Sequence, residues 1–329
     1  MAGPYYMDTA GSNTAPYDTW VKAATSLQTV ADLAAAGEIV YCRGTQTLAA
    51  AIDFDTNAGS TAAGHILFVG CHADGTANGG QFTLDANSAS AHCVSYTSTS
   101  NYVHFQNFTF ENATGDGLYE NGGAPANWIL EDCTIRNNGG HGIGNRLSST
   151  IIIRCRIEGN TTNGISLLYS SKVAFCEIRN NGGVGLGTHE NYFALIYVGN
   201  VIAANSGDQA QLGNGGLAMN NVIDGENDTT SGHGLVVMSN ANLVLGNRFT
   251  HNDGAGKRGI EVTLAAGGGY EDHNAFFDNT TDKDSGMHHG GNDDTTLADD
   301  GYVDRANADY NVKSGADLRS VAIDLDWDT

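Results

Sequence analysis

Aligned on one position, the middle of the chain repeats: Phe108, Cys133, Cys155, Cys176, Asn200, Asn221, Asn247 and Asn274 follow one another at intervals of 25, 22, 21, 24, 21, 26 and 27 residues. A period of this length constrains folding strongly, because each repeat cannot bury its apolar face alone and must stack on its neighbours. Two residues after each anchor stands Phe110, Ile135, Ile157, Ile178, Ile202, Ile223, Phe249 or Phe276, apolar without exception. Alternation with period two makes the anchor and its second neighbour the inward positions of a strand. Five residues after the anchor, Asn138, Asn160, Asn181, Asn205, Asn252 and Asn279 recur, broken by Ala113 and Glu226. Asparagine tolerates a left-handed backbone and caps turns, so this column predicts a corner of each coil. A Gly-apolar pair then opens the next face, as in Gly117-Leu118, Gly142-Ile143, Gly164-Ile165, Gly185-Leu186, Gly234-Leu235 and Gly259-Ile260.

The outward columns agree with this register. Three residues after the anchors, Glu111, Arg136, Glu158 and Arg179 alternate in sign, and Arg156 is followed by Glu177 in the column before. Asp132 and Arg154 form a further pair. Parallel strands lie about 4.8 Å apart, so opposite charges meet where like charges would work against the register. Upstream, Glu38–Cys42, His65–Gly70 and His92–Tyr96 read as earlier strands. The sum is about eleven coils, a rod of roughly 50 Å at the inter-strand spacing. Ser26–Ala36 reads as a short helix, N-capped by Ser26 and stopped by Gly37, that plugs the first coil. The expected organisation is residues 1–37 as strand and capping helix, 38–280 as the solenoid, and 281–329 as an acidic loop and C-terminal cap.

Tyr5-Tyr6-Met7-Asp8 with Gly11-Ser12, Trp20, the helix and Gly37-Glu38-Ile39-Val40-Tyr41 resemble the opening of pectate-lyase-like β-helix proteins. The tail, Gly301–Asp304, Asp309–Val312 and Ser320–Asp324, is similar to that superfamily's ending. The resemblance covers nearly the whole chain and implies an all-β, single-stranded, right-handed parallel β-helix. The superfamily includes polysaccharide lyases, glycoside hydrolases, phage tailspikes and adhesins, so it does not decide function.

The 37 acidic residues against 15 basic ones give a net charge of −22, which disfavours nucleic acid and anionic membranes as partners. No apolar run approaches the roughly 20 residues that span a bilayer, so membrane insertion is not expected. The N-terminus lacks a signal-peptide pattern, consistent with a trimmed signal or with release by lysis, as for virion proteins. The six cysteines have no C-x-x-C spacing; Cys133, Cys155 and Cys176 fall in the inward anchor column and read as core, while Asn200, Asn221, Asn247 and Asn274 read as an internal hydrogen-bonded ladder.

Gly140-His141-Gly142 resembles the Gly-His-Gly motif of polygalacturonase-type hydrolases, but Gly232-His233-Gly234 repeats it at the same corner, where turn geometry accounts for both. Paired aspartates on neighbouring coils and a downstream Arg-x-Lys are not in register. A lyase needs a base and a cation beside the acidic carbon. The residues left for such chemistry are Arg146, Tyr169, His189 and Glu190; with Asp116 stacked beside His141 they form the candidate ligand-binding face, and Lys172 lies nearby. Asp282–Asp304 is rich in carboxylates, and Asp293, Asp294, Asp299 and Asp300 are its candidate calcium ligands, although the spacing is not that of an EF-hand. No cofactor is required by any motif; calcium is the one ion the acidic loop suggests.

Two functions remain open. One is a virion-associated or extracellular surface β-helix, a tail, capsid-decorating or adhesive element that binds a glycan or partner protein without catalysis, with a homotrimer as one assembly open to it. The other is a polysaccharide lyase or glycoside hydrolase acting on an acidic polysaccharide.

Overall fold

In the computed structural model the chain is an all-β parallel solenoid, a right-handed parallel β-helix. The structure describes residues 4–77, 79–123, 126–167, 169–188, 193–225, 232–253, 255–263, 269–283, 286–289, 295–297, 302–304 and 309–312. Two compact units divide at Ser171 and Lys172. Among the described residues each unit has three parallel faces, with five strands on its third face.

In the first unit the anchors sit where the period puts them. On the second face Thr134, Ile135 and Arg136 pair with Arg156, Ile157 and Glu158, and with Thr109, Phe110 and Glu111 on the other side. Ile135, Ile157 and Phe110 point inward and are fully buried. Outward, Arg136 Nε meets Glu111 at 2.7 Å and Arg154 Nε meets Asp132 at 2.8 Å, while Arg156 pairs within its own rung with Glu158 at 2.8 Å. Exposed pairs of this kind contribute about 0–1 kcal/mol each, so they set register more than stability. The first face supplies an aromatic core: Phe68 and Phe105 stack at 5.2 Å, and Phe54 and Trp128 close on them edge-to-face or tilted at 5.3–6.0 Å.

Three expectations are corrected. The described residues make about nine turns rather than eleven. One reason is that Val94–Tyr96 is not a coil of its own; it is the third face of the coil that begins at Ile66–Cys71, paired with Ile52–Phe54 and Leu118–Glu120. Alternation identifies a strand but not the face it belongs to. The helix is Leu27–Ala31, and Ser26 makes no side-chain cap. Gln46 Oε1 accepts the Leu27 N–H at 2.8 Å instead, and Gln28 ties the helix to the backbone of Asp53 in both directions. The asparagines five after the anchors are not left-handed. The residue before each one is: Asn137 (φ 55), Gly159 (φ 65), Asn180 (φ 54), Ala204 (φ 55), His251 (φ 54) and Asp278 (φ 50). Freed from the turn, Asn138 turns inward, donating from Nδ2 to Asn160 Oδ1 at 2.9 Å and accepting the Ala113 N–H at 3.0 Å.

In the second unit the expected anchor ladder is present. Asn200, Asn221, Asn247 and Asn274 are buried, and each Oδ1 from Asn221 onward accepts both the backbone N–H and the Nδ2 of the previous asparagine at 2.9–3.2 Å. Each Nδ2 also donates to a first-face carbonyl of the rung before: Val173, Tyr197, Ala218 and Val244 in turn. Strand pairing continues past residue 280, Thr281–Lys283 lying on Arg258–Val262. There the interior changes character. The inward column Tyr197, Ala218, Val244 continues to Glu271, whose carboxylate pairs with Lys283 Nζ at 2.6 Å and accepts from Asn274 at 3.1 Å.

Candidate functional site

The cysteines of the first unit show why chemistry is absent from their column. Cys133 Sγ lies 3.5 Å from the Phe105 carbonyl and Cys155 Sγ 3.4 Å from the Leu130 carbonyl, so each thiol stands where the anchor asparagines of the second unit direct Nδ2. All six cysteines are buried and outside any disulfide, and burial pushes up the thiols of Cys42, Cys71, Cys93 and Cys133, Cys71 to about 11 and Cys93 to about 12. A thiol in that range is neither a nucleophile nor a ready metal ligand at neutral pH.

The corner that leads into the third face is more informative. In the first unit His92, Asp116, His141 and Asn163 occupy it on successive rungs, each just before the pair that opens the next strand. His92 Nδ1 accepts the Asp116 N–H at 3.1 Å, Asp116 Oδ1 accepts the His141 N–H at 2.6 Å, and His141 Nδ1 accepts the Asn163 N–H at 3.3 Å. The second unit repeats the pattern: Asp208 Oδ1 takes the His233 N–H at 2.9 Å and His233 Nδ1 the Arg258 N–H at 3.2 Å. Imidazole and carboxylate thus do one task, satisfying the backbone donor of the following rung. Close stacking demands glycine beside them; a Cβ on Gly117 would stand 2.7 Å from the Gly142 carbonyl oxygen.

An acceptor at Nδ1 leaves the proton on Nε2, so the His92 and His233 imidazoles are neutral. Burial lowers the pKa of His92 and of His233, against the opposing pull of Asp116 and of Asp208 and Glu261. The sign follows: the unfolded chain binds protons first, so this contribution is intact above about pH 6.5 and is lost as pH falls from there towards the depressed folded values. The urea midpoint is therefore expected to fall between pH 7.5 and 5.5, and to fall less when His92→Asn and His233→Asn replace the imidazoles with acceptors that do not titrate.

Beside this column Tyr119 points outward from Leu118–Glu120 and is 36% exposed. Its ring lies 3.9 Å from that of His92 with 6° between the planes. His92 is fixed in turn by its bond from Asp116, so Tyr119 is a flat, pre-set aromatic surface. Asp116 Oδ2 reaches past Gly144, where a Cβ would come within 2.5 Å. The Glu120 carboxylate accepts the Gly123 N–H, and both carboxylates act on buried Tyr96, whose hydroxyl donates to the Gly144 carbonyl at 3.2 Å. Burial first, then Glu120 and Asp116, raise the Tyr96 pKa well above its ordinary value.

Of the residues singled out from the sequence, Asp116 and His141 meet in this column. Tyr169 is 36% exposed in the turn after Ile165–Leu167, its carbonyl accepting from Ser149 N–H and Ser171 Oγ. The backbone of Arg146 runs in Ile143–Leu147, where the register shifts against Ile165–Leu167. His189, Glu190, Asp293, Asp294, Asp299 and Asp300 lie outside the described residues. Among the described residues no three His, Cys, Asp or Glu side chains are arranged to hold a metal ion. His92 and Tyr119 are missed by the sequence reading, which follows the glycines of the corner; His92 precedes Cys93-Val94, where the glycine is replaced.

A second polar cluster lies outward on the first face of this unit. His104 Nε2 meets Glu131 at 3.1 Å, and Arg154 bonds both Glu131 and Asp132. Burial pulls the His104 pKa down, with Glu131 opposing. The guanidinium is held between two carboxylates, so its charge is already engaged within the cluster.

The family of proteins described as having a right-handed beta helix region matches residues 69–218. No curated protein matches the sequence. Solved structures share the fold. The pectate lyase Pel9A is 15% identical with a TM-score of 0.55, covering 90% of this chain and 78% of its own. The alginate lyase of Paenibacillus sp. strain FPU-7 is 12% identical at 0.57, covering 88% and 99%. The A-module of the Azotobacter vinelandii mannuronan C-5 epimerase AlgE6 is 16% identical at 0.52, covering 82% and 93%. At these identities the likeness is one of fold. Among the described residues no helix is long and apolar enough to cross a membrane.

Proposed function

We propose that this right-handed parallel β-helix, a fold that supports binding and catalytic sites alike, is a glycan-binding surface protein acting without catalysis. The observation that carries this reading is the Tyr119 ring laid flat on His92 beside Asp116 and Glu120. A sugar ring is recognised by an aromatic face for its C–H surface and by nearby acceptors for its hydroxyls. Both are fixed here before any ligand arrives, so little ordering is lost on binding. The proposal extends to a virion or cell exterior as location and to glycan or surface protein as partner.

Binding to a panel of immobilised oligosaccharides is expected to weaken at least tenfold in Tyr119→Ala and to persist in Tyr119→Phe, which keeps the ring. Unchanged binding in Tyr119→Ala overturns the reading.

The second reading, a polysaccharide lyase or glycoside hydrolase, is favoured by one observation, the neutral His104 imidazole beside Glu131 and Arg154. The bonds that Arg154 already makes to Glu131 and Asp132 weigh against its serving as a free cation for a substrate. Incubation with polysaccharides, with and without calcium, followed at the absorbance of unsaturated products and by reducing-end assay, tests it; activity lost in His104→Ala would replace the binding proposal.

A further inference from the structure

We infer that the glycan taken at Tyr119 carries no carboxylates: it is built of uncharged or amino sugars and not of uronates. This rests on the binding proposal and narrows its ligand. His92, the group beneath the aromatic face, is neutral, because its Nδ1 is occupied as an acceptor from the Asp116 backbone. It brings no positive charge to the site. Two carboxylates flank the platform: Asp116, whose field acts on His92, and Glu120, next to Tyr119 on its strand; both also act on Tyr96. These carboxylates stand on a chain whose net charge is −22. An anionic polymer is repelled both at long range and on arrival. A sugar hydroxyl, by contrast, finds an acceptor in the second oxygen of Asp116, since Oδ1 is committed to the His141 N–H and Oδ2 extends past Gly144. An amino group finds that acceptor together with a favourable field.

The test is titration calorimetry of the full chain with three oligosaccharides of matched length: a cello-oligosaccharide, a chitosan oligosaccharide and an oligogalacturonate. At least one of the first two is expected to bind ten times more tightly than the oligogalacturonate, with binding lost in Tyr119→Ala. Asp116→Asn keeps the acceptor for His141 and removes the charge, so it should narrow the preference over the uronate severalfold. Oligogalacturonate binding as tight as the other two, and lost in Tyr119→Ala, overturns the charge inference while leaving the glycan platform standing. Binding of none of the three, or binding indifferent to Tyr119→Ala, overturns the platform and the inference together.

Discussion

Replacing Asn221 with leucine is expected to lower the stability of the second unit by about 4 kcal/mol or more. Leucine matches asparagine in size and adds apolar surface, so a core that valued only burial would accept it. The ladder does not. Asn221 Oδ1 takes two bonds from Asn200, at 3.0 and 2.9 Å, and Nδ2 gives two, to Asn247 and to the Tyr197 carbonyl, both at 2.9 Å. All these groups are buried, and each left without a partner costs about 1–3 kcal/mol. The check is the urea midpoint by circular dichroism. Equal stability in Asn221→Leu would show that the ladder is ornamental to the fold.

Lys283→Met is expected to cost about 3 kcal/mol, and Glu271→Leu with Lys283→Met together much less. Glu271 stands in a column of core side chains with its carboxylate 3% exposed, and the ammonium of Lys283 sits 2.6 Å away. Removing the cation takes the ion-pair partner from a buried carboxylate and leaves it the neutral Asn274 amide, a weaker compensation, whereas removing both extends the apolar column by one rung. The estimate sits at the lower end for such pairs because the lysine side chain keeps 31% exposure. Thermal unfolding of the two single variants and the double variant measures the coupling. A double variant as unstable as the sum of the single ones would mean that the two side chains do not act as a pair.

The inward columns were legible because burial leaves few residue types at each position, and a period near 24 residues repeats the constraint many times over. Ile135, Ile157 and Phe110 needed only alternation and spacing to be placed. Which face a strand joins is set by where the chain turns, and this is why Val94–Tyr96 was read as a separate coil. The asparagines after the second face mislead in another way: the left-handed residue is one position earlier, and it is Asn in two of these six coils and Gly, Ala, His or Asp in the other four, so no single residue type advertises the turn. Long-range partners were invisible altogether. Nothing near Leu27 announces that Gln46, nineteen residues on, accepts its N–H. The same limit hid the candidate site, since His92 and Tyr119 stand 27 positions apart in the chain, meet ring to ring only in the fold and carry no motif. The cysteines were placed correctly as core, but the reason they share a column with asparagine, a donor aimed at the carbonyl of the preceding rung, appears only with the coils stacked.

The corner column has a consequence for how such a chain changes over generations. The backbone of each rung asks only for an acceptor from the residue before it, and His Nδ1 and Asp Oδ1 both answer, as an asparagine oxygen would. Mutation can exchange these residues without disturbing the coil, while the atom facing outward changes from a neutral N–H donor to an anionic oxygen or an amide. One rung can therefore drift towards a different ligand while its neighbours hold the old one, and a solenoid of this kind can acquire new specificities a coil at a time.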